Sequence, residues 1–358
     1  MEIELKTIPE NELKKKISDE TQLGFGSKYS DYMFQVEYSE GRWHSAVIKK
    51  LEPLQLHPGA KVLHYAQEIF EGMKAYRTPD GHLNLFRPGS NIERFNRSAQ
   101  RVLMPPIDPD LFMRGLKQLL ALEKEWAPKT RGASIYIRPT MIGVTPFLGV
   151  ASATEFLFYI ILSPSGPYFK EGFNPIKIYV SSDYVRAAPG GVGTAKTGGN
   201  YAASLLAGKV ARDHGCSQVL WLDATERKYV EEVGAMNMFF VYDGVVYTAP
   251  APWDGTILPG VTRESTIQLA KDFGYTVKEE ALAIDTIIEG IGDGKLSEAF
   301  GSGTAASIAP VGSLHYKGKD FTINGFENGP LSTKLYQELT DIQWGRKPDP
   351  HDWITQAV

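Results

Sequence analysis

Residues 190–201 read GGVGTAKTGGNY, a lysine set among glycines. Glycine lets a backbone approach a ligand closely and reach φ values closed to other residues. A lysine in such a loop therefore points to a phosphate or a carbonyl group. A nucleotide P-loop requires G-x-x-x-x-G-K-[ST]. Gly190 to Thr197 fits this except at Ala195, where the second glycine should stand, and no compelling acidic strand end accompanies it. A solvated lysine on a flexible surface loop is the plainer alternative. The strand signal IKIYVSS (176–182) precedes the loop. The amphipathic stretch YAASLLAGKVARDHG (201–215) follows it and is predicted to be helical.

Before the loop, YMFQVEY (32–38) and RWHSAVIKKL (42–51) read as strands joined by a turn at Ser39-Glu40-Gly41. A second turn, Asp80-Gly81, separates extended segments within HYAQEIFEGMKAYRTPDGHLNLFRP (64–88). In SNIERFNRSAQRVL (90–103), Ile92, Phe95, Ala99 and Val102 recur at helical spacing, and Ser90 is placed to cap. A helix near Pro109–Trp126 leads to two apolar strands, SIYIRPTMIG (134–143) and EFLFYIIL (155–162), the latter ended by Pro164. Beyond the loop, QVLWLD (218–223) and MNMFFVYD (236–243) read as strands, with a turn at Asp243-Gly244 into VVYTAP. Helix signals follow at Thr262–Phe273 and Leu331–Trp344. This mixture predicts two α/β-type domains: a small N-terminal one (1–162), a Gly-, Pro- and Ser-rich linker (163–174) and a larger one (175–358).

With 42% hydrophobic and 22% charged residues the chain has the balance of a globular protein, and its formal charge of −4 argues against nucleic acid or an anionic membrane as partner. The longest apolar run, EFLFYIILSP, falls well short of the ~20 residues that span a bilayer. The N-terminal MEIELKTIPENELKKKISDE is charged with no apolar run behind it, so neither a signal nor a transit peptide is expected. The single cysteine, Cys216, excludes an internal disulfide and suits a cytoplasmic location; it reads as an inert small hydrophobe. The seven histidines show no metal-ligand spacing, so no metal is expected.

Other segments supply chemistry around Lys196. EEVGAMN (231–237) places acids just before a strand. LPGVTRES (258–265) opens a helix with free N–H groups suited to an anion, and GSGTA (301–305) is a small-residue turn able to aim amides at one. A lysine, a carboxylate, a nearby hydroxyl and anion donors are what pyridoxal 5′-phosphate chemistry needs. The ordered strings HYAQEIFEGMKAY, NIERFNRSA, IYIRPT, KTGGNYAAS, EEVGAMNMF, ILPGVTRES and FGSGTA resemble the branched-chain aminotransferases of the fold type IV pyridoxal-phosphate enzymes. The resemblance runs from about Phe25 to Trp344.

It implies a small α/β domain and a larger pseudo-barrel domain. Lys196 is implied to form the Schiff base with the cofactor and to shuttle the proton. Glu232 is implied to pair with the pyridine nitrogen, favoured over Glu231 because Val233 follows it. Tyr201 would bond the phenolic oxygen. Arg94 is implied to meet the phosphate, with Arg97 and Arg101 on the same helix as alternatives; the Val261 and Thr262 amides and the Thr304 hydroxyl complete the cup. Tyr65, Phe70, Tyr136 and Tyr168 are implied to line the side-chain pocket, with Arg138 taking glutamate's distal carboxylate. The α-carboxylate would meet Thr304 and Ala305. Ala235 stands where some relatives have threonine. Ala306 and Ala309 occupy the positions of a Cys-x-x-Cys found in some members, so thiol regulation there is excluded. The implied reaction is reversible transamination of leucine, isoleucine or valine with 2-oxoglutarate, by a homodimer. D-amino-acid aminotransferases and aminodeoxychorismate lyases share the lysine and glutamate and are the nearest rivals. A non-catalytic cofactor- or amino-acid-binding protein is a further one, disfavoured because storage needs no electron sink.

Overall fold

The computed structural model describes residues 1–168 and 172–358. They divide into two units. The first comprises residues 1–168, 195–198 and 342–358; the second holds the rest.

In the first unit, eight strands of a nine-stranded sheet run in the order Glu4–Leu5, Arg42–Lys50, Tyr32–Ser39, Phe156–Ser165, Ser134–Gly143, Met73–Arg77, Leu83–Phe86, Ile354–Gln356. The short strand Glu68–Phe70 pairs separately with Ser134–Gly143. Short strands near the two ends of the chain thus cover both edges, which would otherwise offer unpaired backbone groups. The first hairpin turns at Glu40-Gly41, with φ of 51° and 77°, as a two-residue loop that matches strand twist requires. Alternation sorts the sheet residues. Phe34, Val36, Ile69, Met73, Ala75, Ile135, Ile137, Phe158, Ile160 and Leu162 enter the core with Phe95 and Phe112 of the helices Pro88–Arg101 and Pro109–Leu122. The intervening residues, among them Phe70, Lys74, Tyr136, Arg138 and Tyr159, share the opposite face.

The Pro109–Leu122 helix lies so close to the sheet that a methyl group on Gly115 would fall 2.3 Å from Cε1 of Phe34, a fully buried ring. Gly115→Ala is therefore expected to destabilise the fold. Overpacking of about 1–3 kcal/mol outweighs a gain of up to about 1 kcal/mol in helix propensity. A lower thermal midpoint in a denaturation scan checks this.

The second unit holds a closed barrel. Ile176–Val180 pairs in parallel with both Gln218–Leu222 and Ser307–Tyr316. From Gln218–Leu222 the ring continues antiparallel through Val230–Val233, Met236–Tyr242 and Leu296–Gly303 back to Ser307–Tyr316. Six strands thus close on themselves, the barrel expected from the resemblance. Ile178, Val180, Leu220, Leu222, Met238 and Phe240 fill one cluster with Ile284 and Ile287 of the helix Ile284–Gly292. On the other side, Val219 and Trp221 pack on Ala207, Ala211 and Cys216. Burial pushes the Cys216 thiol up to about 11, which removes it from thiolate chemistry.

Several elements depart from the sequence reading. Ser90 is not the cap: the helix starts at Pro88, whose fixed φ and missing N–H suit a first helical position. The strand expected to stop at Pro164 runs to Ser165; on one side its last backbone bond is from Ser30 N–H to the Leu162 carbonyl, so proline sits past that ladder, at a local edge. The first three residues of the expected linker are thus strand, and its residues 169–171 lie outside the described ones. The stretch after the glycine-rich loop forms two helices, Gly198–Ala202 and Leu205–Asp213, parted where Ser204 Oγ donates back to the Tyr201 carbonyl. Glu232 lies within a strand rather than before one, because Gly234 at φ 57° lets Val230–Val233 fold back on Met236–Tyr242.

Candidate active site

The Lys196 segment belongs to the first unit. The Lys196 N–H donates to the buried Ser98 Oγ at 2.9 Å, and its carbonyl accepts from the Phe70 N–H at 3.0 Å. Thr197 Oγ1 donates to the Glu68 carbonyl at 2.6 Å. The helix Pro88–Arg101 and the strand Glu68–Phe70 thus fix the lysine's backbone from two sides. Its Nζ lies 5.1 Å from the centre of the Phe70 ring, and the Arg138 guanidinium lies 4.7 Å from the same centre. Arg138 Nη2 donates to the Tyr136 hydroxyl at 3.1 Å, while its buried Nε–H has no acceptor among the described residues. Gly72 makes room for that hydroxyl, since a methyl group there would fall 2.2 Å from it.

Tyr136 and Tyr168 both meet the ring of Phe25, at 4.9 and 5.0 Å between centroids. Sequence reasoning missed Phe25. Its signal was the flanking pair Gly24 and Gly26, both at positive φ, which turn the ring inward while Gly24 O and Gly26 N bond Gly166 and Ser165. Phe70, Tyr136, Arg138 and Tyr168 are thus linked through shared rings. Tyr65 stands apart on its own chain, exposed, with its hydroxyl donating to the Leu148 carbonyl. Lys74, also unremarked in the sequence, pairs in register with Tyr136, and burial pushes its amine down to about 7.

Arg94 is the buried arginine of its helix, whereas Arg101 is exposed and Arg97 pairs with Glu93 on the outer surface. Arg94 forks onto Glu71, Nε to Oε1 at 2.7 Å and Nη2 to Oε2 at 2.8 Å. Asn91 Nδ2 adds a bond to Oε2 at 2.9 Å. Burial alone would push the Glu71 carboxyl up, but Arg94, with Lys196 and Asn91, holds it below its ordinary value.

In the second unit, Glu232 is buried and ion-paired with Arg186, and accepts from Asn237 Nδ2 at 3.3 Å. Asn237, on the neighbouring strand Met236–Tyr242, also donates to the Leu258 carbonyl at 3.0 Å, linking the carboxylate to the loop that opens the helix Val261–Asp272. Arg186, another residue the sequence did not reveal, donates to the carbonyls of Gly193 and Thr256 at 2.9 and 3.1 Å. Neighbouring Glu231 points elsewhere, to the Thr256 hydroxyl. Val261 and Thr262 form the first turn of their helix, where amides lack intrahelical acceptors. Gly260 before them is packed against Asn237 Oδ1, leaving no room for a side chain. Thr304 and Ala305 lie in the turn between two barrel strands; the exposed Ala235 lies in the next turn, its carbonyl 3.7 Å from where a Gly303 side chain would begin. Tyr201 is half-buried on the short helix Gly198–Ala202.

The first unit thus pins a lysine on an aromatic wall. The second holds a buried carboxylate linked through Asn237 to the loop before a helix. The family model for class IV aminotransferases matches residues 68–314, and the chain belongs to that family. It is 49% identical over 345 residues to branched-chain-amino-acid transaminase 1 of Bacillus subtilis, covering 96% of each chain. Among solved structures it is similar to the branched-chain aminotransferase of Escherichia coli, with a TM-score of 0.77 and 29% identity over 92% of this chain and 99% of that one. It is also similar to a T.th. branched-chain aminotransferase solved with pyridoxamine 5′-phosphate, with a TM-score of 0.72 and 27% identity over 90% of this chain and 98% of that one.

Proposed function

We propose that this chain is a branched-chain amino-acid aminotransferase that exchanges the amino group of L-leucine, L-isoleucine or L-valine with 2-oxoglutarate, using pyridoxal 5′-phosphate. The observation that carries the reading is the convergence of the Lys196 amine and the Arg138 guanidinium on one Phe70 ring, with the buried Arg138 Nε lacking an acceptor among the described residues. An amine and a carboxylate receptor on an aromatic wall suit an amino acid whose side chain is either apolar or acidic.

The donor set fits the cofactor. Bound there, pyridoxal phosphate would supply the electron sink that lets a Cα–H bond break. Lys196 would hold the cofactor through its amine and, once released, would take the proton from the substrate Cα. Glu232, oriented by Arg186 and Asn237, would present its carboxylate to the pyridine nitrogen and favour its protonated form. The Tyr201 hydroxyl would bond the ring oxygen. The amides of Val261 and Thr262, the Thr304 hydroxyl and the charge of Arg94 would hold the phosphate. Thr304 and Ala305 receive the α-carboxylate beside Ala235. Phe70, Tyr136 and Tyr168, with Phe25, surround the substrate side chain. Burying a leucine or valine side chain contributes roughly 1.5–3 kcal/mol. Arg138 accepts the distal carboxylate of glutamate, which is costly to bury unpaired. Tyr65, exposed on its own chain, joins the pocket only in the proposed homodimer. A reducing cytosol completes the reading, supported by the lone buried thiol.

The test is the visible spectrum of the cofactor-loaded protein. L-leucine should convert the absorbing form to the amine form of the cofactor, and 2-oxoglutarate should restore it, with D-leucine inert. A shift with D-amino acids alone would transfer the assignment to D-amino-acid chemistry. Failure to take up the cofactor would overturn the reading.

A further inference from the structure

Phe25 joins the rings of Tyr136 and Tyr168, yet its own backbone does little to hold it. The glycines on either side, at φ of 60° and 69°, have no side chains to pack and are the residues freest to reorient. The ring is steadied from further back. The Glu20 carboxylate accepts from two consecutive backbone amides, Oε1 from the Lys129 N–H at 2.8 Å and Oε2 from the Thr130 N–H at 2.7 Å. Hydrogen bonds to an ionised acceptor are the stronger kind. Glu20 opens a single 3₁₀ turn, Glu20–Gln22, capped by the Asp19 side chain, and Leu23 at its end is buried. The Leu23 N–H donates back to the Glu20 carbonyl at 3.3 Å, and the next residue, Gly24, accepts from the Gly166 N–H at 2.7 Å. On the other side of the clamp, Thr130 leads into Ser134–Gly143, the strand that carries Tyr136. Glu20 thus ties together, a few residues upstream of each ring, the two segments whose rings meet at 4.9 Å between centroids.

We propose that Glu20 is a positioning residue for the substrate: by locking its segment to the Lys129 and Thr130 amides it sets where Phe25 stands against Tyr136 and Tyr168, and so how closely the wall fits a branched side chain. It acts through the short turn and the buried Leu23. An amide in its place would offer one acceptor to two N–H donors and turn its own NH2 toward the other, so the clamp would open on one side. The N-terminal segment has a second anchor. Asp31 accepts from the Lys14 N–H at 2.8 Å, the Lys16 amine at 2.7 Å and the Trp126 indole at 2.9 Å. Loss of the Glu20 clamp therefore frees Phe25 without releasing the whole segment. The inference rests on the reading that Phe25, Tyr136 and Tyr168 surround the substrate side chain.

The experiment measures binding of 4-methylpentanoate, an unreactive branched acid, to the cofactor-loaded enzyme by calorimetry, in a double-mutant cycle of Glu20→Gln and Phe25→Ala. Glu20→Gln is expected to weaken binding by about fivefold, the scale of one poorly buried methylene group. KM for leucine should rise by a similar factor, with kcat within about twofold of the wild type and cofactor affinity unchanged. Glu20→Asp, too short to bridge both amides but able to keep one, should fall between. Phe25→Ala should weaken binding at least as much as Glu20→Gln, and adding Glu20→Gln to it should change nothing further, because the ring through which Glu20 acts is gone. Equal losses from Glu20→Gln in both backgrounds would mean a general loosening of the fold and would overturn the proposal. If Phe25→Ala weakens binding and Glu20→Gln does not, only the role of Glu20 fails. If Phe25→Ala leaves binding intact, the assignment of the aromatic wall fails and this inference with it.

Discussion

Lys196→Ala is expected to lower kcat/KM for leucine by at least about 10⁴-fold, because it removes both the covalent hold on the cofactor and the proton carrier. The loss should be chemical rather than structural. What anchors the segment is the Lys196 backbone, through Ser98 Oγ and the Phe70 amide, and the Thr197 hydroxyl. None of these bonds involves the lysine side chain. The amine does contribute charge, since it helps hold the Glu71 carboxyl below its ordinary value, but Arg94 does more. The variant should therefore keep its far-ultraviolet circular dichroism and a thermal midpoint near that of the wild type. It should also still bind the cofactor, with an absorbance that leucine no longer changes. A variant that unfolds would show instead that the side chain is a structural strut, and one that retains turnover would place the reacting amine elsewhere.

How much of this was legible in the sequence follows from how local each signal is. Turns and caps are written in a few adjacent residues, so Glu40-Gly41 and the helix from Pro109 could be read directly. The Gly190–Tyr201 stretch drew attention to Lys196, but a solvated loop lysine fitted it as well; only the other motifs in order, and the resemblance they carry, gave that lysine its implied role. Arg186 was not legible: its role depends on reaching Glu232, Gly193 and Thr256, three points far apart in the chain. Phe25 was hidden for the same reason, as its neighbours Tyr136 and Tyr168 are more than a hundred residues away. Closure of the barrel was expected only through resemblance. No local pattern announces that a four-residue strand such as Val230–Val233 joins a ring, because its hydrophobicity is that of any short buried segment. Among the arginines of NIERFNRSAQR, sequence left Arg94, Arg97 and Arg101 as alternatives on one helix; burial against Glu71 is what sets Arg94 apart.

Glu71→Ala is the second change expected to act strongly, on stability before activity. Glu71 is fully buried, and both oxygens bond the Arg94 fork. A hydrophobic pair of the same shape could be as stable, since desolvating two charges costs nearly what their attraction returns. Removing one partner is different, because it strands a buried guanidinium, and the expected loss is about 3–5 kcal/mol. Asn91 would also lose its acceptor. Glu71→Gln should fall between, as an amide can still accept one bond from Arg94. The pH dependence has a definite sign. The folded protein holds the Glu71 carboxyl below its ordinary value near 4.5, so the unfolded chain takes up its proton first as pH falls. The stabilisation is thus fully present above about pH 5 and is lost as pH drops through and below that ordinary value. Urea unfolding of wild type and Glu71→Gln at neutral pH and at about pH 4 tests this: the gap between them should narrow in acid. A gap that is constant with pH would mean the pair is held by shape alone. Arg94 set loose should also weaken cofactor retention on dialysis, since a guanidinium that is not clamped by Glu71 no longer arrives pre-oriented for a phosphate.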